Sequence, residues 1–309
     1  MDSPELQASV DYLASAEALA SLKRDLYWPK WHSPWWHALL LHEMGLVKLV
    51  PEPIIEALVN GLAHFPCKIF PIQESDLPVG LDPVRETQCH CALGNIYQVL
   101  AAWGVDVDRE IDWIRPWFLR YQMTDGGLNC DNFAYRIEDE CPSSMVATIA
   151  PFEAILRYTP RPWSAQEEAF LSRAAGFLMQ RQLRLGSATR HNAEERQTAP
   201  CWGRLCFPRF YLYDVLRGLT ALLEWARKTR QVVPQDCLEP VLTDLRQQYP
   251  EGVLWPRRQS YSGIGTRLLG SQGSWVKAPA LTFPLLESVS QLNTPSPFLT
   301  AQWRAALAT

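Results

Sequence analysis

The sequence predicts an all-α protein, built as a closed, double-layered helical barrel of about five to six helical hairpin repeats. Three observations predict it. A pair of helix-forming segments recurs along the chain. Within each pair the first segment is apolar almost all round, and the second is amphipathic with its charges on one face. The second segments also end alike, on a glutamine followed by a glycine. Recurrence of a helical pair at a long period is the signature of stacked repeats. Helices buried on most faces alternate with helices wetted on one face, which gives an inner and an outer layer, closed into a barrel; an open solenoid is the competing arrangement.

Ser3-Pro4 starts the first helix, a capping hydroxyl followed by proline at the first helical position. That helix is expected to run to about Leu26. YWPKWHSPWWH, dense in proline and aromatics, reads as an ordered loop leading into a helix. The inner segments are SPWWHALLLHEMGLV, CHCALGNIYQVLAAWGVD, SSMVATIAPFEAILRYTP, FYLYDVLRGLTALLEWAR and ALTFPLLESVSQLNT, ending near Gly45, Gly104, Thr159, Ala226 and Asn293. The outer segments are EPIIEALVNGLAHF, REIDWIRPWFLRYQ, AQEEAFLSRAAGFLMQRQ and DCLEPVLTDLRQQ. Three of their exits match: Phe118-Leu119 with Gln122 and Asp125-Gly126-Gly127, Phe177-Leu178 with Gln182 and Gly186, Leu245 with Gln248 and Gly252. Glycine supplies the left-handed conformation that ends a helix. A glutamine amide can satisfy the free carbonyls there. The whole chain reads as one domain over 1–309, with an N-terminal helix in 1–27 and repeats in 28–309.

The 309 residues are enough to bury a large core without staples. A formal net charge of −4 excludes a nucleic-acid electrostatic footprint. No apolar run reaches the length of a membrane span, so no stable membrane insertion is expected. The N-terminus lacks the basic start and apolar core of a signal peptide, which points to the cytoplasm. The eight cysteines are then expected to be reduced, serving as packing, metal or catalytic groups. The thirteen tryptophans suit a large core or an apolar cavity.

A helix ending F-L-x-x-Q-x-x-D-G-G, as at Phe118–Gly127 and recurring with this period, resembles the repeat of the squalene/terpene cyclase and protein prenyltransferase superfamily. The resemblance covers residues 30–300 and is best at 89–156. It implies an α/α toroid whose inner helices line an apolar cavity, and an apolar substrate, isoprenoid-like or polycyclic. The chemistry does not carry over residue by residue. Terpene cyclases of this type protonate substrate with D-x-D-D. Asp106-Val107-Asp108-Arg109 holds only part of that motif and sits in a hairpin turn, where it reads as an acidic helix start. Protein prenyltransferases hold zinc with Asp-x-Cys and a much later histidine. Here Cys130-Asp131 are adjacent and reversed, and no later histidine occupies a matching repeat position.

Aligning the repeats brings His32, Cys89, His90, Cys91, Ser143, Ser144, Tyr211, Tyr213 and Asp214 to the starts of inner helices around one mouth. The glycine turns bring Cys130 and Asp131 to the same rim. Cys89, His90, Cys91, Cys130 and Asp131, with Cys141 beside them, offer the donor types that suit zinc. A helix N-terminus favours thiolate. Successive helical residues point ~100° apart, so Cys-His-Cys can aim at most two side chains at one ion. A metal, a metal-free catalytic role and plain packing all remain open for this group. His90 and Asp131 are the expected proton-handling pair, with Asp214 and Tyr213 as the second catalytic pair. An Asp214–Arg217 salt bridge is the competing reading of that pair. Trp36, His37, Ser144 and Tyr211 are expected to contact substrate. His42 reads as structural, and His64 and His191 as weak candidates. The polar stretch 184–201 is either a flap over the mouth or a surface loop.

The expected function is acid-base isomerase, cyclase or lyase chemistry on an apolar small molecule. A zinc-dependent hydrolase or transferase on the same scaffold is the alternative. A non-catalytic toroid that binds a lipid or peptide is the third reading.

Overall fold

The structure, a computed structural model, describes residues 3–64, 89–271 and 273–308. The described residues are mostly helical, as the periodicity predicts. One two-stranded antiparallel sheet, β1 Thr266–Leu269 and β2 Trp275–Ala278, forms in the stretch that carries Gly263, Gly265, Gly270 and Gly273, with Thr266 opposite Ala278. Among the described residues no helix is long and apolar enough to cross a membrane.

The N-terminal helix is two helices, α1 Pro4–Leu13 and α2 Ala16–Arg24. Ser15 breaks it, because its side chain accepts from the Ala18 amide and starts a new helix. The predicted inner helices follow: α3 Pro34–Glu43, then α4 Glu52–His64 outside it, then α5 His90–Trp103. Asp106 opens a short turn of helix, α6 Val107–Glu110, and α7 Ile114–Arg120 completes that hairpin. The Asp106–Arg109 stretch thus lies past the far end of α5 from its cysteines. Asp108 there binds Tyr97 and Arg115. Next come α8 Met145–Tyr158 and α9 Ala165–Gln180, the latter started by a Ser164/Glu167 capping box. After α10 Ala193–Thr198 come α11 Val215–Thr229 and α12 Gln235–Gln248.

The two layers follow from the patterning. Every residue of α5 from His90 to Leu100 is buried, whereas α12 buries only Cys237, Val241 and Leu245. Gly104 ends α5 at φ 114, in the left-handed region that glycine adopts freely. The third exit departs from the pattern. Gln182 and Leu183 take the positive φ there, and Gly186 instead lies against the Arg196 backbone.

The fifth inner helix is not where periodicity puts it. Only α13 Pro284–Val289 forms in that segment, and it packs on α1. The helix beside α11 is α14 Pro297–Leu307, started by Ser296-Pro297, with the Ser296 hydroxyl accepting from the Leu299 amide. A serine-proline start thus decides the matter over an apolar run whose helix begins only at Pro284. α3, α5, α8, α11 and α14 all line one cavity of ≈ 380 Å³.

The tightest packing is α5 on α8. A Cβ at Gly94 would collide with the backbone of Ala150 and Pro151. Helix propensity alone would make Gly94→Ala stabilising by about 1 kcal/mol. The close contact predicts the opposite sign, a loss of about 1–3 kcal/mol from overpacking. Thermal unfolding of the variant decides between them, and a raised Tm would refute the contact.

Candidate metal centre

Cys89 is the N-cap of α5, and Cys91 lies in its first turn. Cys130 comes from the turn after α7. That turn is pinned to the start of α8: Leu128 donates to the Thr148 hydroxyl at 2.8 Å, and Ser144 donates to the Leu128 carbonyl at 2.8 Å. Asn129 holds the next step, donating from its side chain to the Pro142 carbonyl and accepting from the Asp131 amide at 2.7 Å. The three sulfurs consequently meet, all within 4.8 Å of one another. Cys89 and Cys91 Sγ are 3.1 Å apart, and the Cys91 amide donates to Cys130 Sγ at 3.4 Å. Thiolates at ~2.3 Å from a tetrahedral zinc stand ~3.8 Å apart. The observed spacing brackets that value, so small side-chain shifts would admit the ion. Cys89 and Cys91 are buried and Cys130 is partly exposed. Three thiols at one helix start, one of them wet, fit a soft divalent ion with a fourth position left for another ligand.

The electrostatics agree. Hydrogen bonds from the Cys130 and Cys91 thiols hold Cys89 well below the usual thiol range. The same contact with Cys89 pushes Cys130 up. The first proton therefore leaves from Cys89, at the positive end of α5. Lys30 lies within electrostatic reach of the cluster. Burial lowers its pKa, against the opposing influence of Cys91 and Cys89. Its ammonium lies 4.7 Å from the Tyr211 ring centre and 5.5 Å from that of Trp31, with Tyr211 Oη at 3.4 Å. Among the described residues it pairs with no carboxylate.

His90 and Asp131 do not meet. The His90 ring turns away from the sulfurs toward Trp117, Phe118, Tyr121 and Tyr135. Its Nδ1 is 2.6 Å from the Asn129 carbonyl, an acceptor, so Nδ1 carries the proton. Asp131 is half exposed and binds His191 Nε2 at 2.7 Å. Among the described residues the Cys141 thiol meets the Ser143 hydroxyl at 3.7 Å and is not part of the thiol cluster.

The second expected pair is committed to structure. Asp214 is fully buried as the N-cap of α11 and pairs with Arg209, Nε to Oδ2 2.8 Å, rather than with the Arg217 guanidinium. Tyr213 donates to the Leu183 carbonyl at 2.8 Å. Ser144 caps α8. Trp36 is buried, donating to the Tyr27 carbonyl, and its ring meets Trp31, Phe210 and Tyr211. His37 turns outward to Ser9, 2.6 Å, and stacks on Phe283. His32 packs against Tyr12 and His37. His42 hydrogen-bonds Tyr158 Oη at 3.0 Å. The His64 side chain and Cys67 lie outside the described residues.

The 184–201 stretch is docked through a helix that its polar composition hid. Glu195 on α10 accepts from the Met145 amide at the start of α8 and from the Ser187 amide. His191 and Arg190 donate their amides to Glu140. Sequence reasoning missed Lys30, whose WPKW setting carries no periodic signal, and the buried ion pair of Glu153 with Arg217, 2.6 Å.

Searches against family models, curated proteins and solved structures find no match.

Proposed function

We propose that the protein is a zinc enzyme on an α/α toroid scaffold, a hydrolase or group transferase. Cys89, Cys91 and Cys130 hold the ion, and the fourth position takes water or substrate. The single observation that carries this is the meeting of three thiols, one partly exposed, at the N-terminus of an inner helix. Bound zinc would supply a Lewis acid and an activated water. The chain's own groups hold and orient. The α5 N-terminus and the Cys91 amide favour thiolate, while Lys30 offsets the negative charge of three thiolates on one divalent ion. Tyr211, partly exposed and stacked on the buried Trp31, offers aromatic surface for an apolar substrate. The toroid assignment draws on the repeat, the superfamily resemblance and the five helices that share one cavity. The acid-base reading loses its support with the separation of His90 from Asp131.

Cobalt substitution tests the proposal. The cobalt protein should show thiolate-to-metal charge-transfer absorption that Cys91→Ser removes. Added cyanide should then shift the visible bands, because an open position exchanges its ligand. No charge-transfer band would sink the metal. A band insensitive to cyanide would leave a closed, structural site.

A further inference from the structure

The cavity shared by the five inner helices is not the apolar chamber that the superfamily resemblance implies. Arg157, Arg209, Arg217 and Arg227 line it, with Glu43, Glu153 and Glu224. Most of this charge is spoken for. Arg217 uses all five of its donors on protein: Nε and Nη2 reach Glu153, Nη2 also reaches Asn95, and Nη1 reaches the carbonyls of Phe210 and Leu212. Arg157 binds Glu153 at 3.0 Å and Glu224 at 2.8 Å. Both carboxylates are thereby compensated.

Two guanidinium groups keep free valence. Arg209 is only 4% exposed. Its Nε goes to Asp214 and its Nη1 to Gln302, but its buried Nη2 has no hydrogen-bond partner among the described residues. A buried charged donor left without a partner is costly, and folded proteins seldom leave one so. Arg227 lies exposed on the cavity wall, with no ion pair among the described residues. Glu43 spends its two oxygens on the Arg209 and Phe210 amides and forms no side-chain pair with Arg209 among the described residues. Burial pushes its carboxyl up, against the opposing influence of Arg217 and Arg209. The charged donors left unpartnered along the cavity are thus Arg209 Nη2 and the Arg227 guanidinium.

We propose that this cavity binds a small molecule bearing a carboxylate or phosphate, held by Arg209 at its inner end and Arg227 on its wall. The free Arg209 Nη2 can donate to one oxygen of either oxyanion, and the planar fork of Arg227 can grip it in two-pronged geometry. A volume of ≈ 380 Å³ sits at the lower end of the range for small-molecule sites, which excludes a large ligand. The cavity is wired to the thiol cluster through the backbone. Asn95, which accepts from Arg217, donates to the Cys91 carbonyl at 2.7 Å. The anion site does not depend on the metal reading, since none of its residues is a thiol.

Calorimetric titration of the full chain with inorganic phosphate and, separately, succinate tests it, at ionic strength held constant with sodium chloride. At least one probe should bind saturably at one site. Phosphate alone would assign a phosphoryl-bearing ligand, and succinate alone a carboxylate. Arg227→Gln, at an exposed position, should weaken binding about tenfold while leaving Tm unchanged. Arg209→Lys, which keeps a charge for Asp214 but loses the free Nη2 donor, should weaken it at least as much. If that variant does not fold, Arg227→Gln decides alone. No saturable heat with either probe up to about 10 mM, or unchanged affinity in Arg227→Gln, would overturn the proposal.

Discussion

Zinc-loaded protein should lose ~6 °C of Tm when a strong chelator removes the ion. A ligand that binds only the folded state stabilises it by about 4 kcal/mol at a thousand-fold excess over Kd. In a chain of this size each kcal/mol is worth ~1.5 °C. The three thiols come from two segments, α5 and the turn after α7, so a shared ion ties them together. Cys89→Ser, Cys91→Ser and Cys130→Ser should each abolish the chelator effect. Cys141→Ser should leave it intact, because Cys141 lies outside the cluster. A Tm indifferent to chelation in metal-analysed, zinc-containing protein would move the ion elsewhere. Absence of zinc after metal-supplemented expression would return the cysteines to packing.

Glu153→Ala should be the most damaging single substitution among the inner helices, costing about 3–5 kcal/mol. It strips the carboxylate from Arg217 and from Arg157 and leaves a buried guanidinium unpaired. Glu153→Leu with Arg217→Met should cost less than the two single changes summed, because no lone charge then remains. The pH dependence has a defined sign. Burial opposes the Glu153 charge, but Arg217 and Arg157 outweigh it and hold the carboxyl at about 2, against 4.5 for the free group. Its folded value is depressed, so its contribution is complete above about 4.5 and lost as pH falls through about 2. His42 acts higher. Burial holds its imidazole ring at about 4 against 6.5, so as pH falls the unfolded chain takes up that proton first and stability falls between those values. Denaturant unfolding across both windows separates the two. Glu153→Gln should flatten only the lower window, and an unchanged slope there would contradict the ion pair.

The candidate site was legible in part, and the reasons differ residue by residue. Cys89 and Cys91 at a helix start and Cys130 in a returning turn could be brought together from the repeat alone, because hairpin geometry returns the chain to the same rim. His90 sits between the two cysteines, so its ring points ~100° from either and meets the outer helix α7 instead. Asp131 follows Cys130 but faces out to His191, since Asn129 and its neighbours fix that turn by hydrogen bonds no spacing encodes. Asp214 looked costly in an apolar helix, and it is paid in full by Arg209 and by capping α11.

What the sequence by itself determined is the helical class, the alternation of buried and amphipathic helices, and the glycine stops such as Gly104. These are local consequences of periodicity and backbone freedom, and each is written within a few turns of chain. Only the tertiary structure decided that α14 rather than the 280–294 segment stands beside α11, that Lys30 lies within electrostatic reach of the thiols, and that the shared cavity is charged. Those outcomes depend on which faces of distant helices meet. Residues as far apart as Asn95, Glu153 and Arg217 share one network because packing desolvates them together, and a buried charge must find its partner wherever the fold brings one.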